Sequence, residues 1–176
     1  GILSALEARH QTGHGQHVDC ALLDSTLALM TNVAQYYLTS GNAPRRYGNA
    51  HSTIVPYQDL ETSDGHVIVA VGNDHQFGIF AQACGHPEWA TDPRFITNTD
   101  RVLHREVLLS LIRPAVRAHT TDYWIKTLEA VKIPVGPILP ITKVFDQPQV
   151  QAREMKIQMT HPLSPAPISL VGSAIK

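Results

Sequence analysis

The sequence predicts an α/β fold in which part of a larger α/β layer is followed by a small α+β domain. Two observations support this prediction. The first 43 residues alternate helix, turn, strand and helix, which is typical of an α/β layer. Further along, two apolar runs flank Ser63-Asp64-Gly65, a strong β-hairpin signal, and amphipathic helical patterns follow them.

The amino-terminal segment predicts two helices separated by a turn and a strand. Its first apolar side chains recur on one face of a short helix that ends near His10. Two glycines within residues 12–15 supply the backbone conformations of a turn. Residues 17–23 are too few for a helix of their own and follow this turn, so they predict a strand. Residues 24–25 (DS) can cap a second helix, and Gly41 marks its end.

The next segment predicts a hairpin and a series of helices. Residues 54–61 and 66–71 are its two strands, and Asp74 begins a helix that extends to about residue 83. A long amphipathic helix over about 99–119 should be kinked or interrupted at Pro114. The remaining predicted elements are a helix opened by Thr121-Asp122, an extended piece at 133–138, short helices around Val144 and Val150, a strand at 155–160 and an extended Pro-rich segment at 161–167.

Composition excludes several classes of protein. The chain has 176 residues, of which 43% are hydrophobic, and a formal net charge of −1, so it lacks the basic excess of a nucleic-acid or acidic-membrane binder. No apolar run is long enough for a membrane helix. Two cysteines cannot form a disulfide framework, so we expect a reducing, cytoplasmic setting. The chain opens in a helical pattern with neither Met nor a capping residue, and we interpret it as the later portion of a longer protein.

Histidines and cysteines are the first candidates for chemistry. His10, His14 and His17 have a spacing close to that of metal ligands, but Gly13 and Gly15 interrupt the helix on which that spacing has meaning, so surface turn residues are the favoured interpretation. Two cysteines, Cys20 in the predicted strand and Cys84 at the end of an apolar helix face, could be nucleophiles. Buried, inert thiols are the commoner occupants of such places.

Two further motifs have ordinary structural explanations. Residues 72–74 (GND) follow a strand and open a helix, where backbone N–H groups can hold an anion, but an Asp cap explains the motif fully. Asp59, Glu61 and Asp64 surround the hairpin and could mimic a pair of catalytic carboxylates. Because the turn itself needs Asp64 and its neighbours are expected to face solvent, we interpret these groups as surface charges. Nothing in the sequence places two of them in one pocket.

The stretch 45–51 (RRYGNAH) contains the most interesting candidates. Its two arginines could meet a phosphate or carboxylate, and Gly48 and Asn49 can adopt conformations that present backbone amides to a developing oxyanion. An ordinary basic linker with a turn is the alternative. From residues alone, the chain contains no complete catalytic constellation.

The order of short motifs resembles the class III CoA-transferases, the CaiB/BaiF-like family that also includes formyl-CoA transferase and α-methylacyl-CoA racemase. The strongest match is the segment 1–6 (GILSAL) followed by 9–19 (RHQTGHGQHVD). The other matches follow in the family's order: GNAH at 48–51, PY at 56–57, TSDG at 62–65, VAVGN at 69–73, DPRF at 92–95, IPVGPI at 133–138 and DQPQV at 146–150.

The resemblance implies a domain organisation. Residues 1–43 would be a fragment of a large, doubly wound α/β domain that binds CoA, and residues 44–52 a linker and a loop that faces the active site. Residues 53–153 would form the small α+β domain, and residues 154–176 would return to the large domain. In this family two full-length chains interlock as a homodimer, so the same assembly is expected of the parent protein, with no nucleic-acid or membrane partner.

The resemblance also implies a chemistry. In the transferases an aspartate attacks an acyl-CoA thioester to give a mixed anhydride, CoA converts this to an enzyme thioester, and an acceptor carboxylate then takes the CoA. That aspartate is expected just upstream of Gly1, so this chain would contain no catalytic residue and be inactive alone. The substrate-binding residues would be Gly48, Asn49, Ala50 and His51. CoA would enter as a substrate thioester, and no metal is expected.

Three alternatives stay open. In the racemase or epimerase branch of the family, an aspartate and a histidine move a proton at the carbon beside the thioester. A non-catalytic interaction or oligomerisation module is a second alternative, because exposed apolar faces of residues 1–40 would promote association. A metal-dependent hydrolase that uses the 10–17 histidines is the third.

Overall fold

The computed structural model describes residues 1–175 and mixes helices with small antiparallel sheets. The chain divides into two compact units, Gly1–Tyr47 and Gly48–Lys176. The prediction of a mixed helix and sheet protein is confirmed at this level. The finer description, a partial doubly wound domain followed by a small α+β domain, stays a prediction. Within the described residues, no helix is long and apolar enough to cross a membrane.

The first unit consists of helices α1 (Ile2–Thr12), α2 (Leu22–Leu29) and α3 (Thr31–Ser40). The first helix ends at Gly13 and the third at Gly41, and both glycines have a positive φ (74° and 71°), which a side chain would disfavour. The glycine signals in the sequence therefore marked both helix ends correctly.

The strand predicted at residues 17–23 is wrong. Residues 14–21 form no regular structure, and the two leucines that follow begin α2. Asp24 is not the cap of this helix but an acid within its first turn, where the negative charge favours the positive end of the helix dipole. The single helix predicted for this region is two helices, which separate at Met30.

The first unit, all of which the structure describes, has no buried residue. Its helices expose large apolar side chains, among them Leu22 at 87% and Leu29 at 85% of their accessible surface. The unit therefore has local hydrogen bonding but no core of its own among residues 1–47.

The second unit contains the hairpin. Strands β1 (Tyr57–Glu61) and β2 (His66–Ala70) pair antiparallel with Leu60 opposite Val67, and β3 (Val135–Pro137) pairs antiparallel with β2. The order β1-β2-β3 confirms the predicted hairpin and adds the extended piece at 133–138 as its third strand. Asp64 in the turn accepts hydrogen bonds from the Thr121 backbone N–H (2.8 Å) and hydroxyl (2.9 Å), and these bonds lower the pKa of its carboxyl.

Helices pack around this sheet and a second small sheet follows. The elements are α4 (Asp74–Ala83), a 3₁₀ turn (Pro87–Ala90), α5 (Asn98–Leu103), α6 (Arg105–Arg117), α7 (Thr121–Ala130), α8 (Ile141–Val144), α9 (Pro148–Ala152), β4 (Lys156–Met159) and β5 (Ile168–Val171). Strand β5 pairs with β4, so the Pro-rich tail ends in a strand that its composition did not predict.

The long helix predicted over 99–119 is divided at His104, not at Pro114. Thr97 and Asp100 close a capping box that fixes the start of α5, and His104 leaves helical geometry at its end (φ −103°, ψ 26°). Helix α6 runs through Pro114, whose missing N–H releases only the carbonyl of Ser110. Ser110 is exposed, so water can satisfy that carbonyl.

One hydrophobic core holds the second unit together. Its members come from the sheet, from α4, α6 and α7, and from the turns between them; the largest are Phe77, Phe80, Trp89, Phe95, Leu108, Ile112, Trp124, Leu128 and Ile133. The indole N–H of Trp124 donates to the carbonyl of Val116 (2.7 Å), so the one polar atom of this ring is satisfied inside the core.

A fully buried arginine lies beside this core. Arg101 has no exposed surface, and its guanidinium lies over the Phe77 ring at 4.4 Å. It donates hydrogen bonds to the carbonyls of Val55 (2.8 Å), Phe95 (2.9 Å) and Ile96 (3.2 Å) and to the carboxylate of Asp74 (2.8 Å). One side chain thereby joins four separate segments of the chain.

Replacing Arg101 should destabilise the chain strongly. Arg101→Met keeps the apolar stem but leaves buried carbonyls without donors, and we expect the free energy of unfolding to fall by about 3–5 kcal/mol. Urea unfolding followed by circular dichroism measures this loss. The matched control is Arg94→Met, which breaks the exposed ion pair with Asp92 and should change the free energy of unfolding far less. Equal losses in the two variants would contradict the role assigned to Arg101.

Candidate functional site

The loop Gly48–His51 is the candidate site in this chain. It opens the second unit with a turn in which Gly48 has φ +62°, a conformation that glycine adopts without strain. Within the described residues, the backbone amides of Gly48, Asn49 and Ala50 form no hydrogen bond. The loop therefore presents free N–H donors at its start.

His51 ends the loop in a fixed orientation. Its backbone N–H donates to the carbonyl of Tyr57 (2.8 Å), and its ring stacks on the Tyr57 ring with centroids 5.2 Å apart. The backbone N–H of Thr53 donates to His51 Nδ1 (3.2 Å). Because Nδ1 accepts this bond, the proton of the neutral imidazole lies on Nε2, which is left as a donor.

Two side chains from neighbouring helices hold the segment after the loop. Arg105 is buried, and its Nη2 donates to the carbonyls of His51 (2.8 Å) and Ser52 (2.9 Å). The Asn98 amide donates to the carbonyl of Thr53 (2.7 Å) and accepts from the backbone N–H of Val55 (3.2 Å). Arg101 donates a hydrogen bond to the carbonyl of Val55. Together these contacts fix residues 51–55, which have no regular secondary structure.

This arrangement suits the binding of a carboxylate or thioester oxygen. It combines consecutive free backbone donors at the start of the loop with a ring N–H donor at its anchored end. No charged group of the loop itself competes for the ligand. The geometry provides donors to an anion but no nucleophile.

Sequence reasoning missed the anchoring residues Asn98, Arg101 and Arg105. The sequence did indicate that the two arginines are buried. They lie four residues apart, on the same helical face as the apolar residues of α6. A cation on the buried face of an amphipathic helix needs carbonyls or carboxylates as partners, so the spacing could have identified them. Their partners at 51–55 could not be deduced from spacing.

The other nitrogen and sulfur candidates are placed differently. His10, His14 and His17 are exposed, and within the described residues no group of three or more His, Cys, Asp or Glu side chains is arranged to hold a metal ion. Cys20 is exposed, so the expectation of a buried thiol in a strand is wrong there. Cys84 is largely buried, and burial raises the pKa of its thiol to about 12.

The strand-to-helix turn at residues 72–74 is occupied by the protein's own groups. The cap of α4 is Asn73, which accepts from the backbone N–H of Gln76, and not Asp74 as predicted. Gly72 donates its N–H to the Gln76 side chain (2.7 Å), and Asp74 pairs with Arg101. These contacts agree with a structural turn.

Two of the hairpin carboxylates line one cleft, which the sequence did not indicate. Asp59 and Glu61 both line one cleft of about 570 Å³ where β1 packs against α6. The alternation of buried and exposed residues along β1 does not indicate this cleft. The opposite wall of the cleft is formed by Arg113, Pro114 and Arg117, more than 50 residues later in the chain.

Comparison with known proteins gives a consistent result. A family model described as CoA-transferase family III matches residues 1–176. The acetyl-CoA:oxalate CoA-transferase of Acetobacter aceti is 34% identical over 173 residues, which cover 98% of this chain and 44% of that protein. The succinyl-CoA:glutarate CoA-transferase of Mus musculus is 35% identical over 175 residues, 99% of this chain and 40% of that protein. The chain thus spans about two fifths of the length of these relatives.

Solved structures match over the same range. A CaiB/BaiF family protein from Brucella suis is 45% identical with a TM-score of 0.71, covering 89% of this chain and 41% of that one. A protein from M. tuberculosis matches with a TM-score of 0.81 over 98% of this chain and 44% of its own, at 18% identity, which is evidence for the fold alone.

The two cysteines should differ sharply in reactivity. In the folded chain at pH 8, we expect an aromatic disulfide reagent to modify exposed Cys20 and to leave Cys84 unmodified, because burial disfavours its thiolate. Absorbance and mass spectrometry should report one modified thiol in buffer and two in urea. Cys20→Ser should abolish the labelling in buffer, whereas Cys84→Ser should leave it unchanged. Rapid labelling of Cys84 in the folded chain would contradict the prediction that its thiol is unreactive.

Proposed function

Because the chain belongs to CoA-transferase family III, we propose that it is part of an enzyme that moves CoA between an acyl-CoA and a carboxylic acid. Two named relatives, an acetyl-CoA:oxalate and a succinyl-CoA:glutarate CoA-transferase, support this reaction class. The family match over residues 1–176 is the observation on which the proposal chiefly depends.

The proposed reaction uses an aspartate as nucleophile. Its carboxylate attacks the acyl-CoA carbonyl, and CoA thiolate leaves to give a mixed anhydride. The thiolate then attacks the aspartyl carbonyl of the anhydride, which releases the first carboxylate and leaves an enzyme thioester. The acceptor carboxylate displaces CoA from this thioester, and CoA attacks the acceptor's carbonyl to restore the aspartate. We place this aspartate outside the 176 residues, upstream of Gly1.

The role proposed for this chain is to bind the carboxylate substrate and the oxyanions of these steps. The free backbone N–H groups of Gly48, Asn49 and Ala50 and the Nε2–H of His51 are the donors. The geometry supports the role of His51, because Arg105, Thr53 and Tyr57 hold this residue and its donor needs no rearrangement when charge develops on the substrate.

Two alternatives differ from this proposal in measurable ways. A racemase or epimerase of the same family would exchange the α-hydrogen of a 2-methylacyl-CoA with solvent deuterium and need no acceptor acid. A non-catalytic interaction module is favoured by one observation, an apolar cleft of about 710 Å³ on α2 and α3 with Leu27, Met30 and Tyr37 among its lining. Such a module would produce no turnover even as the complete gene product.

Transferase activity should require more than these 176 residues. We expect the chain alone to give no CoA exchange with succinyl-CoA and glutarate or with acetyl-CoA and oxalate, and the product of the complete coding sequence to exchange CoA in at least one pair. Liquid chromatography of the CoA esters measures both. Mass spectrometry of the complete product after acyl-CoA addition should show CoA attached to an aspartate by loss of water. Turnover by the 176-residue chain, or deuterium exchange without CoA transfer, would contradict the proposal.

Loss of the His51 donor should weaken acceptor binding. In the complete product, His51→Phe keeps a ring that can stack on Tyr57 but removes Nε2–H, and we expect the KM for the acceptor acid to rise by about tenfold to a hundredfold. Steady-state kinetics with varied acceptor measure this. The matched control is His75→Phe, which replaces an exposed histidine of α4 and should leave the KM unchanged. Equal KM values in the two variants would remove His51 from the substrate site.

A further inference from the structure

The cleft between β1 and α6 contains a buried polar atom with no partner. Gln58 is only 8% exposed and lines the cleft, and its Oε1 has no hydrogen bond within the described part of the chain. Its Nε2 donates to the carbonyl of Asp59 across a long 3.4 Å, so the unsatisfied atom is the acceptor. A buried acceptor without a donor destabilises a fold. The Oε1 is covered by protein atoms, so a ligand O–H or N–H would remove this cost once the Gln58 amide rotates toward the cleft.

The same cleft contains an arginine that is free to bind an anion. Among residues 1–175, the Arg113 guanidinium forms no ion pair or hydrogen bond. Arg117, one helical turn further on, lies 3.4 Å from Glu61, and both of these side chains are more than half exposed. A guanidinium binds a carboxylate through two parallel hydrogen bonds, so Arg113 is the group of the cleft best suited to that contact.

The formal charges limit which anion fits. Two arginines and the two carboxylates of Asp59 and Glu61 line the cleft, and their charges cancel. A singly charged carboxylate can pair with Arg113, whereas a phosphate dianion would also be repelled by two nearby carboxylates. Those carboxylates, with Gln58 Oε1, are acceptors for hydroxyl groups. Exposed Pro114 adds apolar surface against which the C–H bonds of a polyol can pack.

We propose that this cleft binds a sugar acid, a polyhydroxylated carboxylate whose carboxyl pairs with Arg113 and whose hydroxyls donate to Gln58 and the neighbouring carboxylates. The volume of about 570 Å³ lies within the range of small-molecule sites. None of the lining residues belongs to the Gly48–His51 loop, and the site is independent of the reaction proposed above.

Gluconate is the probe that tests this site, with three relatives that each change one feature. Sorbitol lacks the carboxylate, hexanoate lacks the hydroxyls, and 6-phosphogluconate adds a dianion. In two-dimensional NMR titrations of the product of the complete coding sequence, gluconate should give saturable shifts in residues 58–61 and 113–117, and each relative should bind at least tenfold more weakly. Absence of saturation, or equal or tighter binding of any relative, would overturn the proposal.

Variants locate the binding groups. Arg113→Gln should weaken gluconate binding at least tenfold, while Arg153→Gln, which changes an exposed arginine outside the cleft, should not. Gln58→Leu should weaken gluconate binding about fivefold to tenfold and raise the melting temperature of the unliganded protein, because it removes the unsatisfied acceptor. Unchanged gluconate affinity in either cleft variant would refute the assignment. Because Arg113 is exposed, its variant should fold normally even if the Gln58 variant does not.

Discussion

The second unit depends on a pair of buried arginines. Residues 51–55 lead from the loop into the hairpin without forming a strand or a helix. Their carbonyls therefore need hydrogen-bond donors from outside regular secondary structure. Arg101 and Arg105, one turn apart along the chain, supply the donors, and Asp74 compensates the charge of the first. Burying a guanidinium is costly unless its donors are used. The hydrogen bonds that offset the cost of burying the two arginines therefore also determine the path of the backbone at His51.

Features that depend on neighbours in sequence could be predicted. The hairpin at Ser63–Gly65 was predicted because the turn residues and the flanking apolar runs act within a few residues of one another. Gly13 and Gly41 marked helix ends for the same reason. The strand at 17–23 was predicted wrongly because a short apolar run is consistent with either a strand or the first turn of a helix. Local pattern does not distinguish the two when no tertiary partner is known.

Features that depend on distant residues could not be predicted. The long predicted helix divides at His104, where the backbone leaves helical geometry, although the local sequence indicates a break at Pro114 instead. The cleft that joins Asp59 and Glu61 to Arg113 exists only once α6 packs on β1. The candidate loop was identified through its resemblance to a family, and its part in substrate binding stays a prediction. The side chains that position it, on α5 and α6, lie about 50 residues away.

The loop Gly48–His51 has an open start and a fixed end. No atom lies within 4 Å of the point that a Cβ at Gly48 would occupy, so the space beside the start of the loop is open. The end of the loop is fixed, since the carbonyl, Nδ1 and ring face of His51 are engaged by Arg105, Thr53 and Tyr57. A carboxylate is common to all acceptors, whereas the rest of the acid differs. In the proposed enzyme, the ring donor of His51 and the free backbone N–H groups would both meet the common carboxylate, because N–H groups donate to oxygen. The open space beside Gly48 would then be left for the part of the acid that differs.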